Sequence, residues 1–286
     1  MYRLRDKIYG TIIGGALGDI LSSAQIQQTE IAIKSPADLA SLSIQPGCWT
    51  ENTATLLALL SALYSDTNPL DEYREILHHE KHTCTLVYLD IDTFYAIQGT
   101  PYIHIHNPCS LMRTAAVSLY CFDSYEALLQ SSYDNSILTH NCVSCADVCK
   151  LFSSMIDSAL HGRSKKEILS PEFYSNLQLP VELWGILTDL TTPQCDTALE
   201  LDATQETLYL VLYYFKKSNN YKEGLTMILG TAMRYKNYVG TAYGQLAGAY
   251  YGLTDIDESW LDDLDGTYFT DLAERCFSKA ITSMEN

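Results

Sequence analysis

Two segments of this sequence carry glycine at every fourth position, and no other feature constrains the fold as much. The first segment has Gly10, Gly14 and Gly18, and the second has Gly240, Gly244, Gly248 and Gly252. Residues four apart share one face of an α-helix, and a face without side chains lets another backbone approach closely. Because each glycine costs a helix about 1 kcal/mol relative to alanine, we expect both faces to pack tightly on a neighbour or to lie beside a ligand.

Hydrophobic spacing elsewhere predicts further helices and few strands. Leu56, Leu57, Leu60 and Leu63 recur at the three- and four-residue spacing of a helix that faces a core. Val, Ile and Thr rarely alternate with polar residues over long runs, so strands are not indicated. We predict an all-α, multi-helix core with helices over residues 6–21, 53–64, 71–82, 111–120, 124–132, 142–160, 164–168, 180–190, 204–215, 221–232 and 239–253.

Length and composition favour one domain. The chain has 286 residues, of which 47% are hydrophobic and 19% charged, so it can bury a sizeable core. It has no repeat of fixed period and no linker rich in Pro, Gly and Ser. We therefore predict a single domain over residues 1–286.

The chain carries a strong negative charge. It has 18 Lys and Arg against 35 Asp and Glu, which gives a formal net charge of −17 and a pI near 4.6. Nucleic acids and anionic membranes bind proteins through basic patches, so neither is expected as a partner.

Asp6, Asp19 and several glycines interrupt the N-terminal apolar run, which leaves no stretch of about 18 apolar residues to span a bilayer. Nine cysteines, an odd number, suit reduced thiols, so we expect a cytoplasmic protein.

Five segments, in order along the chain, resemble the ADP-ribosylglycohydrolase family, including its dinitrogenase-reductase-activating members. Each segment matches one family motif: an opening glycine helix, a Trp-Thr-Asp-Asp-Thr motif, a Ser-Leu-Met-Arg motif, a Thr-His pair and a closing glycine helix. In this sequence they are residues 6–19 (DKIYGTIIGGALGD), 48–53 (CWTENT), 110–113 (SLMR), 139–140 (TH) and 244–252 (GQLAGAYYG). The resemblance implies an orthogonal all-α bundle. It also implies hydrolysis of a glycosidic bond to ADP-ribose with a pair of magnesium ions.

The family's magnesium ligands are mostly absent from this sequence. The family supplies two aspartates from the Trp-Thr-Asp-Asp-Thr motif, where this chain has Glu51 and Asn52 after Thr50. Two divalent ions a few ångströms apart need several carboxylates to offset their charge. We therefore expect no paired magnesium site, and at most one weakly bound Mg²⁺ at Thr50 and Glu51. Alternatively, Thr50 is a helix cap and Glu51 is an acid that complements the helix dipole.

The second metal motif, Asp-x-Asp-Thr, stands just before the closing helix in the family. Counting back from Gly244, its positions fall on Tyr235, Lys236, Asn237 and Tyr238, so both aspartates are missing. The vestigial metal positions are therefore Thr50, Glu51, Asn52, Tyr235, Asn237 and Tyr238. We expect tyrosines, among them Tyr243, to fill part of the old cleft.

The family's general base is also missing. Many members carry a glutamate in a loop after the opening helix, but residues 22–28 of this chain contain no carboxylate. Positioned carboxylates that activate water typically speed a reaction by about 10²–10⁴-fold. We assign no catalytic residue and keep Glu51, Glu30 and Asp19 as candidates.

The ligand-contacting segment is altered as well. The family often has Asn-Gly directly before Ser-Leu-Met-Arg, where this chain has Pro108 and Cys109, with Asn107 one position earlier. Proline removes a backbone donor, and a glycine there would let the backbone approach a phosphate. The candidate ligand-binding residues are Asn107, Ser110, Met112, Arg113 and His140. Arg113 could equally be structural and pair with an acidic neighbour.

Three cysteines follow His140 on one helix face. Cys142, Cys145 and Cys149 have the spacing of a zinc or iron–sulfur motif, but also that of a buried apolar face, which we favour.

The sequence thus predicts a protein of this fold without magnesium-dependent hydrolysis, which binds an ADP-ribose-like small molecule or a protein partner. One alternative is a residual ADP-ribosyl hydrolase that uses a single cation. Another is a metal-independent enzyme built from Glu51, Asp19, Arg113 and His140. The sequence does not decide whether the protein is an enzyme, but it favours a protein without catalytic activity.

Overall fold

The structure is a computed structural model and describes residues 1–27, 49–76, 89–100, 107–192, 201–261, 264 and 266–285. These ranges contain α-helices, three 3₁₀ segments and no strand. The helices are α1 (Tyr2–Gln27), α2 (Glu51–Ser65), α3 (Pro69–Ile76), α4 (Ile91–Ile97), α5 (Cys109–Met112), α6 (Thr114–Tyr120), α7 (Tyr125–His140), α8 (Val143–Leu160), α9 (Lys165–Ile168), α10 (Val181–Thr188), α11 (Ala203–Lys217), α12 (Tyr221–Gly230), α13 (Lys236–Tyr251) and α14 (Gly266–Glu285). Within these ranges no helix has the length and apolar character to cross a bilayer.

Helices α1 and α13 pack against each other through their glycine faces. The sequence predicted that each face packs tightly or lies beside a ligand, and the structure shows that each is the other's partner. A Cβ atom built on Gly10 would lie 2.5 Å from the carbonyl oxygen of Gly248, and one on Gly14 would lie 2.6 Å from that of Gly244. Gly18 faces Gly240 in the same way, so the helices run antiparallel with their backbones in contact. No side chain larger than hydrogen fits between them, because such short distances violate van der Waals contact.

Other helices surround this central pair. Helix α14 lies on α1, where Arg5 pairs with Glu274, and the ring of Phe269 meets Trp49 edge to face at 4.9 Å. Helix α12 lies on the other side of the pair, and the Tyr221 hydroxyl donates to the Gly14 carbonyl oxygen at 2.6 Å. Helix α8 is buried along most of its length. Cys142, Cys145 and Cys149 are buried there, in agreement with the packing interpretation.

The all-α fold class is confirmed, but several helix boundaries differ from the prediction. Helix α1 is longer at both ends, and helix α7 continues to His140, whereas the predicted helix ended at residue 132. The predicted helix 111–120 is two helices that break at Arg113, whose φ is −104° and ψ is −1°. Helices α4 and α14 were not predicted. Helix α3 ends at Ile76, and the rest of the predicted helix 71–82 lies outside the described residues.

Candidate functional site

The candidate site lies where five helix ends meet. The first residues of α2 and α5 are Glu51 and Cys109, Asp90 precedes α4, His140 ends α7, and Tyr238 lies in the first turn of α13. Cys109 Sγ is 3.4 Å from Tyr238 Oη, and His140 Nε2 is 3.6 Å from Asp90 Oδ1. The glycine contact between α1 and α13 fixes the start of α13, and a carboxylate on α1 fixes the start of α2.

That carboxylate is Asp19, and its hydrogen bonds hold the N-terminus of α2. It accepts from the backbone N–H of Thr50 (2.9 Å) and of Thr53 (3.2 Å), and from both of their hydroxyls (2.6 and 2.8 Å). Ser23 and Asn52 donate at 3.2 and 3.4 Å. Charge-assisted bonds to a helix N-terminus are among the stronger hydrogen bonds in proteins. With Asp19 fully buried, the structure places this catalytic candidate in an anchoring position.

Glu51 is the first residue of α2 and its side chain is partly buried. Burial, and then the nearby carboxylates of Asp19 and Asp90, raise the pKa of its carboxyl to about 7 against hydrogen bonds that lower it. The carboxyl therefore gains and loses its proton near neutral pH. A carboxyl with this pKa can accept or donate a proton, which keeps Glu51 as the candidate acid or base of the site.

Asn52 follows Glu51 and is almost fully buried. Its Nδ2 donates to Asp19, while its Oδ1 is buried and has no hydrogen-bond partner among the described residues. An amide oxygen without a partner can accept a hydrogen bond from a ligand or bind a cation without contributing charge.

The start of α13 contains the other vestigial positions. Tyr235 precedes the helix and makes no side-chain cap, and its ring lies 6.3 Å from that of Tyr238. The Lys236 ammonium donates to the Leu229 carbonyl oxygen at 3.0 Å. The Asn237 backbone carbonyl accepts from Thr241 at 2.7 Å.

Two tyrosines of the expected cluster therefore lie at the site, but the third does not. Tyr243 packs against α12, where its hydroxyl donates to the Tyr221 carbonyl oxygen at 3.1 Å. The prediction that Tyr243 fills the cleft is wrong, because it lies more than one turn further along α13 and faces a different neighbour.

Arg113 is fully buried and its guanidinium links several helices. Its Nε donates to Asn135 Oδ1 at 3.1 Å, Nη1 donates to Thr93 Oγ1 at 3.4 Å, and Nη2 donates to Thr139 Oγ1. The Tyr73 ring lies 5.0 Å from the guanidinium carbon. Of the two interpretations left open, the contacts favour the structural one, but the partners are amide and hydroxyl groups rather than an acid.

His140 continues this network toward the site. Thr139 Oγ1, which accepts from Arg113, lies 2.7 Å from His140 Nδ1, and His140 Nε2 lies 2.7 Å from Asn107 Oδ1. Thr139 can therefore donate to Nδ1, which leaves the ring proton on Nε2 to donate to Asn107. Burial lowers the pKa of His140 below its usual value, although the Asp90 carboxylate opposes this effect. The imidazole is thus neutral at physiological pH.

Ser110 and Met112 lie inside the core rather than on a cleft surface. Ser110 Oγ accepts from Ser136 Oγ at 2.9 Å, and the Met112 carbonyl accepts from the Gln245 amide. Both side chains are fully buried. Of the five predicted ligand-binding residues, Asn107 and His140 are the two that the structure brings to the candidate site where the helix ends meet. Glu30, the remaining catalytic candidate, lies outside the described residues.

Sequence reasoning missed Asp90, Asp92 and Cys109. Asp90 caps α4, where its Oδ1 accepts from the backbone N–H of Asp92 (3.1 Å) and of Thr93 (3.0 Å). Asp92 is buried and accepts from the Asn107 amide; burial, and then the Asp90 charge, raise its pKa to about 6. Burial likewise raises the pKa of the Cys109 thiol well above its usual value. Residues 90–93 themselves read Asp-x-Asp-Thr, which was a usable signal.

Comparison with known proteins decides the family. The model of the ADP-ribosylglycohydrolase family matches residues 1–286, the whole chain. The chain belongs to the ADP-ribosylglycohydrolase family. A solved structure described as an ADP-ribosylglycohydrolase-related protein complex superposes with a TM-score of 0.78 and 23% identity, covering 99% of this chain and 100% of that one. That likeness supports the fold.

Two curated relatives are both named ADP-ribosylarginine hydrolase Tri1. The protein from Serratia proteamaculans (strain 568) is 22% identical over 297 residues, which span 96% of this chain and 80% of that protein. The protein from Pseudomonas putida (strain GB-1) is 26% identical over 172 residues, which span 60% of this chain and 46% of that protein. This ADP-ribosylglycohydrolase homologue is therefore similar to hydrolases along nearly its full length.

Proposed function

We propose that this family member binds an ADP-ribose-like ligand at the helix-end site and does not hydrolyse it with a magnesium pair. One observation carries the proposal. At the four positions where the family pattern has aspartates, this chain has Glu51, Asn52, Tyr235 and Asn237, so a single carboxyl remains. Such a donor set does not fit two Mg²⁺ ions, which prefer ionised oxygen ligands in octahedral geometry.

The nearby carboxylates do not replace the missing ones. Asp19 uses its oxygens to hold α2, Asp90 caps α4, and Asp92 holds the Asn107 amide. Asp19 accepts hydrogen bonds at both of its oxygens, so it could not serve a magnesium pair without losing contacts that hold the start of α2. We infer that a metal pair is disfavoured by the hydrogen bonds of the folded chain as well as by its sequence.

Ligand binding has support of its own. Helix α13 begins at the site without a side-chain cap, whereas Thr50 and Asp19 already accept from N–H groups at the start of α2. The positive end of a helix dipole favours a phosphate. The unpartnered Asn52 Oδ1 adds an acceptor that suits a ribose hydroxyl. Together with the curated relatives, these features favour an ADP-ribose-like ligand over a protein partner.

Calorimetry with ADP-ribose, with and without millimolar Mg²⁺, tests this proposal, together with a hydrolysis assay on ADP-ribosylated arginine. We expect binding whose affinity does not change with Mg²⁺, and no turnover. Magnesium-dependent binding with turnover would show that a catalytic metal site persists. No binding in either condition would contradict the ligand and direct the search to a protein partner.

A further inference from the structure

We propose that Asp90, Cys109 and His140 form a binding site for a single zinc-class divalent cation. One carboxylate oxygen, the thiol sulfur and one imidazole nitrogen of these residues lie within 4.8 Å of one another. Across the described ranges, no other trio of Cys, His, Asp or Glu side chains gathers in this way. The inference does not depend on ADP-ribose binding, because a cation can occupy this cluster whether or not the cleft holds a nucleotide.

The spacing is close to that of a tetrahedral zinc site. Zinc binds sulfur at about 2.3 Å and nitrogen or oxygen at about 2.0–2.2 Å, so neighbouring ligand atoms lie about 3.4–3.7 Å apart. His140 Nε2 and Asp90 Oδ1 already lie 3.6 Å apart. The remaining pairs need to close by about 1 Å at most, which small side-chain rotations supply.

The donor set selects the metal. Sulfur and imidazole nitrogen favour zinc, cobalt or another borderline transition ion, whereas magnesium takes oxygen ligands. Cys109 stands where the family pattern often has glycine, so the sulfur donor is a feature of this chain. The site therefore differs in position and chemistry from the magnesium pair of the family.

Neighbouring residues already orient each ligand. The Cys109 backbone N–H donates to Asn107 Oδ1 at 2.9 Å, and the cap of α4 holds Asp90. His140 Nδ1 lies 2.7 Å from Thr139 Oγ1, which Arg113 holds in turn. Metal-binding histidines usually donate their second ring N–H to such an oxygen.

Binding needs two proton movements. The imidazole proton moves from Nε2 to Nδ1, where it donates to Thr139 Oγ1, and Nε2 becomes free to coordinate. The Cys109 thiol, which donates to Tyr238 Oη at 3.4 Å, loses its proton to solvent, and the Tyr238 hydroxyl then donates to the thiolate. One proton is released for each ion bound.

Three protein ligands leave the fourth tetrahedral position open. Such open positions are typical of zinc sites that hold water or a ligand atom, whereas structural zinc sites have four protein ligands. The charge of Asp90 also reaches the nearby Glu51, Asp92 and Tyr238. A cation at this cluster would keep its fourth position for water or a ligand atom.

The test uses the full chain after removal of metals with a chelator. We expect Zn²⁺ to bind with one-to-one stoichiometry, and Co²⁺ to give the intense visible bands of a tetrahedral site together with a thiolate charge-transfer band. Cys109→Ala and His140→Ala should each weaken Zn²⁺ binding by at least about tenfold. Cys121→Ala, which removes a buried thiol outside the cluster, should leave binding unchanged.

A second measurement does not depend on the folding of any variant. In the unmodified chain, Zn²⁺ should slow alkylation of Cys109, measured by peptide mass analysis, and leave the rate at Cys121 unaltered. The proposal is overturned if Co²⁺ gives no thiolate band, if Cys109→Ala binds Zn²⁺ as tightly as the native chain, or if Zn²⁺ does not protect Cys109.

Discussion

The two parts of helix α13 differ in how closely they follow the family pattern. From Gly244 to Gly252 the sequence matches the closing helix almost letter for letter, and Gly244 and Gly248 there face the backbone of α1. At the start of the same helix, residues 235–238 share none of the Asp-x-Asp-Thr pattern. One helix therefore keeps the packing of the family at one end and lacks its metal chemistry at the other.

The difference shows that one helix can keep the residues needed for packing and lose those needed for metal binding. A backbone contact at van der Waals distance admits only glycine, so any change there disturbs the whole bundle. A metal ligand on a half-buried first turn, such as residues 235–238, can change without moving the backbone. The fold therefore identifies the family, while only the residues at the helix ends can indicate the activity.

The distinction between a preserved scaffold and a changed site would fail if Arg113 binds the ligand and does not support the fold. We expect Arg113→Met to lower the free energy of unfolding by about 3–5 kcal/mol, because the buried partners of the guanidinium lose their donors and the Asp90 charge loses compensation. Urea unfolding measures the effect. Arg163→Met is the matched control, since that exposed guanidinium makes one surface ion pair. Unchanged stability together with weaker ADP-ribose binding would place Arg113 in the ligand site.

Substitution of Asp19 tests whether this residue supports the fold at the start of α2 or takes part in a reaction. Asp19→Asn should lower the free energy of unfolding by about 1.5–3 kcal/mol, because hydrogen bonds to an ionised acceptor become bonds to a neutral amide. Amide exchange should show the first turn of α2 losing protection. An Asp19→Asn chain that keeps its stability but loses a catalytic activity would assign Asp19 to the reaction.

The glycine contact can be tested with two alanine substitutions. In Gly14→Ala, the new Cβ would lie 2.6 Å from the Gly244 carbonyl oxygen and 2.9 Å from the Tyr221 ring, so we expect a loss of about 1–3 kcal/mol. Gly230→Ala has nothing within 4 Å of its Cβ and should change stability by about 0.5 kcal/mol or less. Equal midpoints for the two variants in thermal unfolding would mean that α1 and α13 are not in close contact.

Substitution of Glu51 should give the smallest change in stability of the four, and the change should depend on pH. Its pKa rises from 4.5 to about 7 on folding, so between these values the folded chain binds more protons than the unfolded chain. Stability therefore falls as pH rises through this window, and Glu51→Gln removes the loss. We expect Glu51→Gln to exceed the native chain by on the order of 1 kcal/mol at pH 8, a figure reduced for partial exposure, and to match it near pH 4. A pH-independent difference would contradict the raised pKa.

Much of the scaffold could be predicted from local patterns. The glycine spacing indicated that α1 and α13 pack tightly, without indicating that they pack on each other, and the leucine spacing indicated the buried face of α2. Helix α14 was missed although Phe269, Leu272, Ala273 and Cys276 have helical spacing and are buried. Helix α7 was cut short because it contains many polar residues, and Asn135 among them is buried to bind Arg113.

The site was harder to predict than the scaffold. Asp19, Glu51 and His140 were found because they lie in or beside family motifs. Asp90 and Cys109 are far from His140 in the sequence, and only the tertiary arrangement of three helix ends brings them together. The Asp-x-Asp-Thr pattern of residues 90–93 was the one local signal for Asp90. Local periodicity carries no information about such contacts.

Calorimetric titration of Mg²⁺ into the metal-free chain tests most directly whether the metal chemistry has been lost from a preserved scaffold. The comparison is a variant that restores the family pattern through Asn52→Asp, Tyr235→Asp, Asn237→Asp and Tyr238→Thr. We expect no specific binding by the native chain and measurable binding by the variant, since the backbone positions are in place. Binding of two Mg²⁺ ions by the native chain would contradict this interpretation of the site.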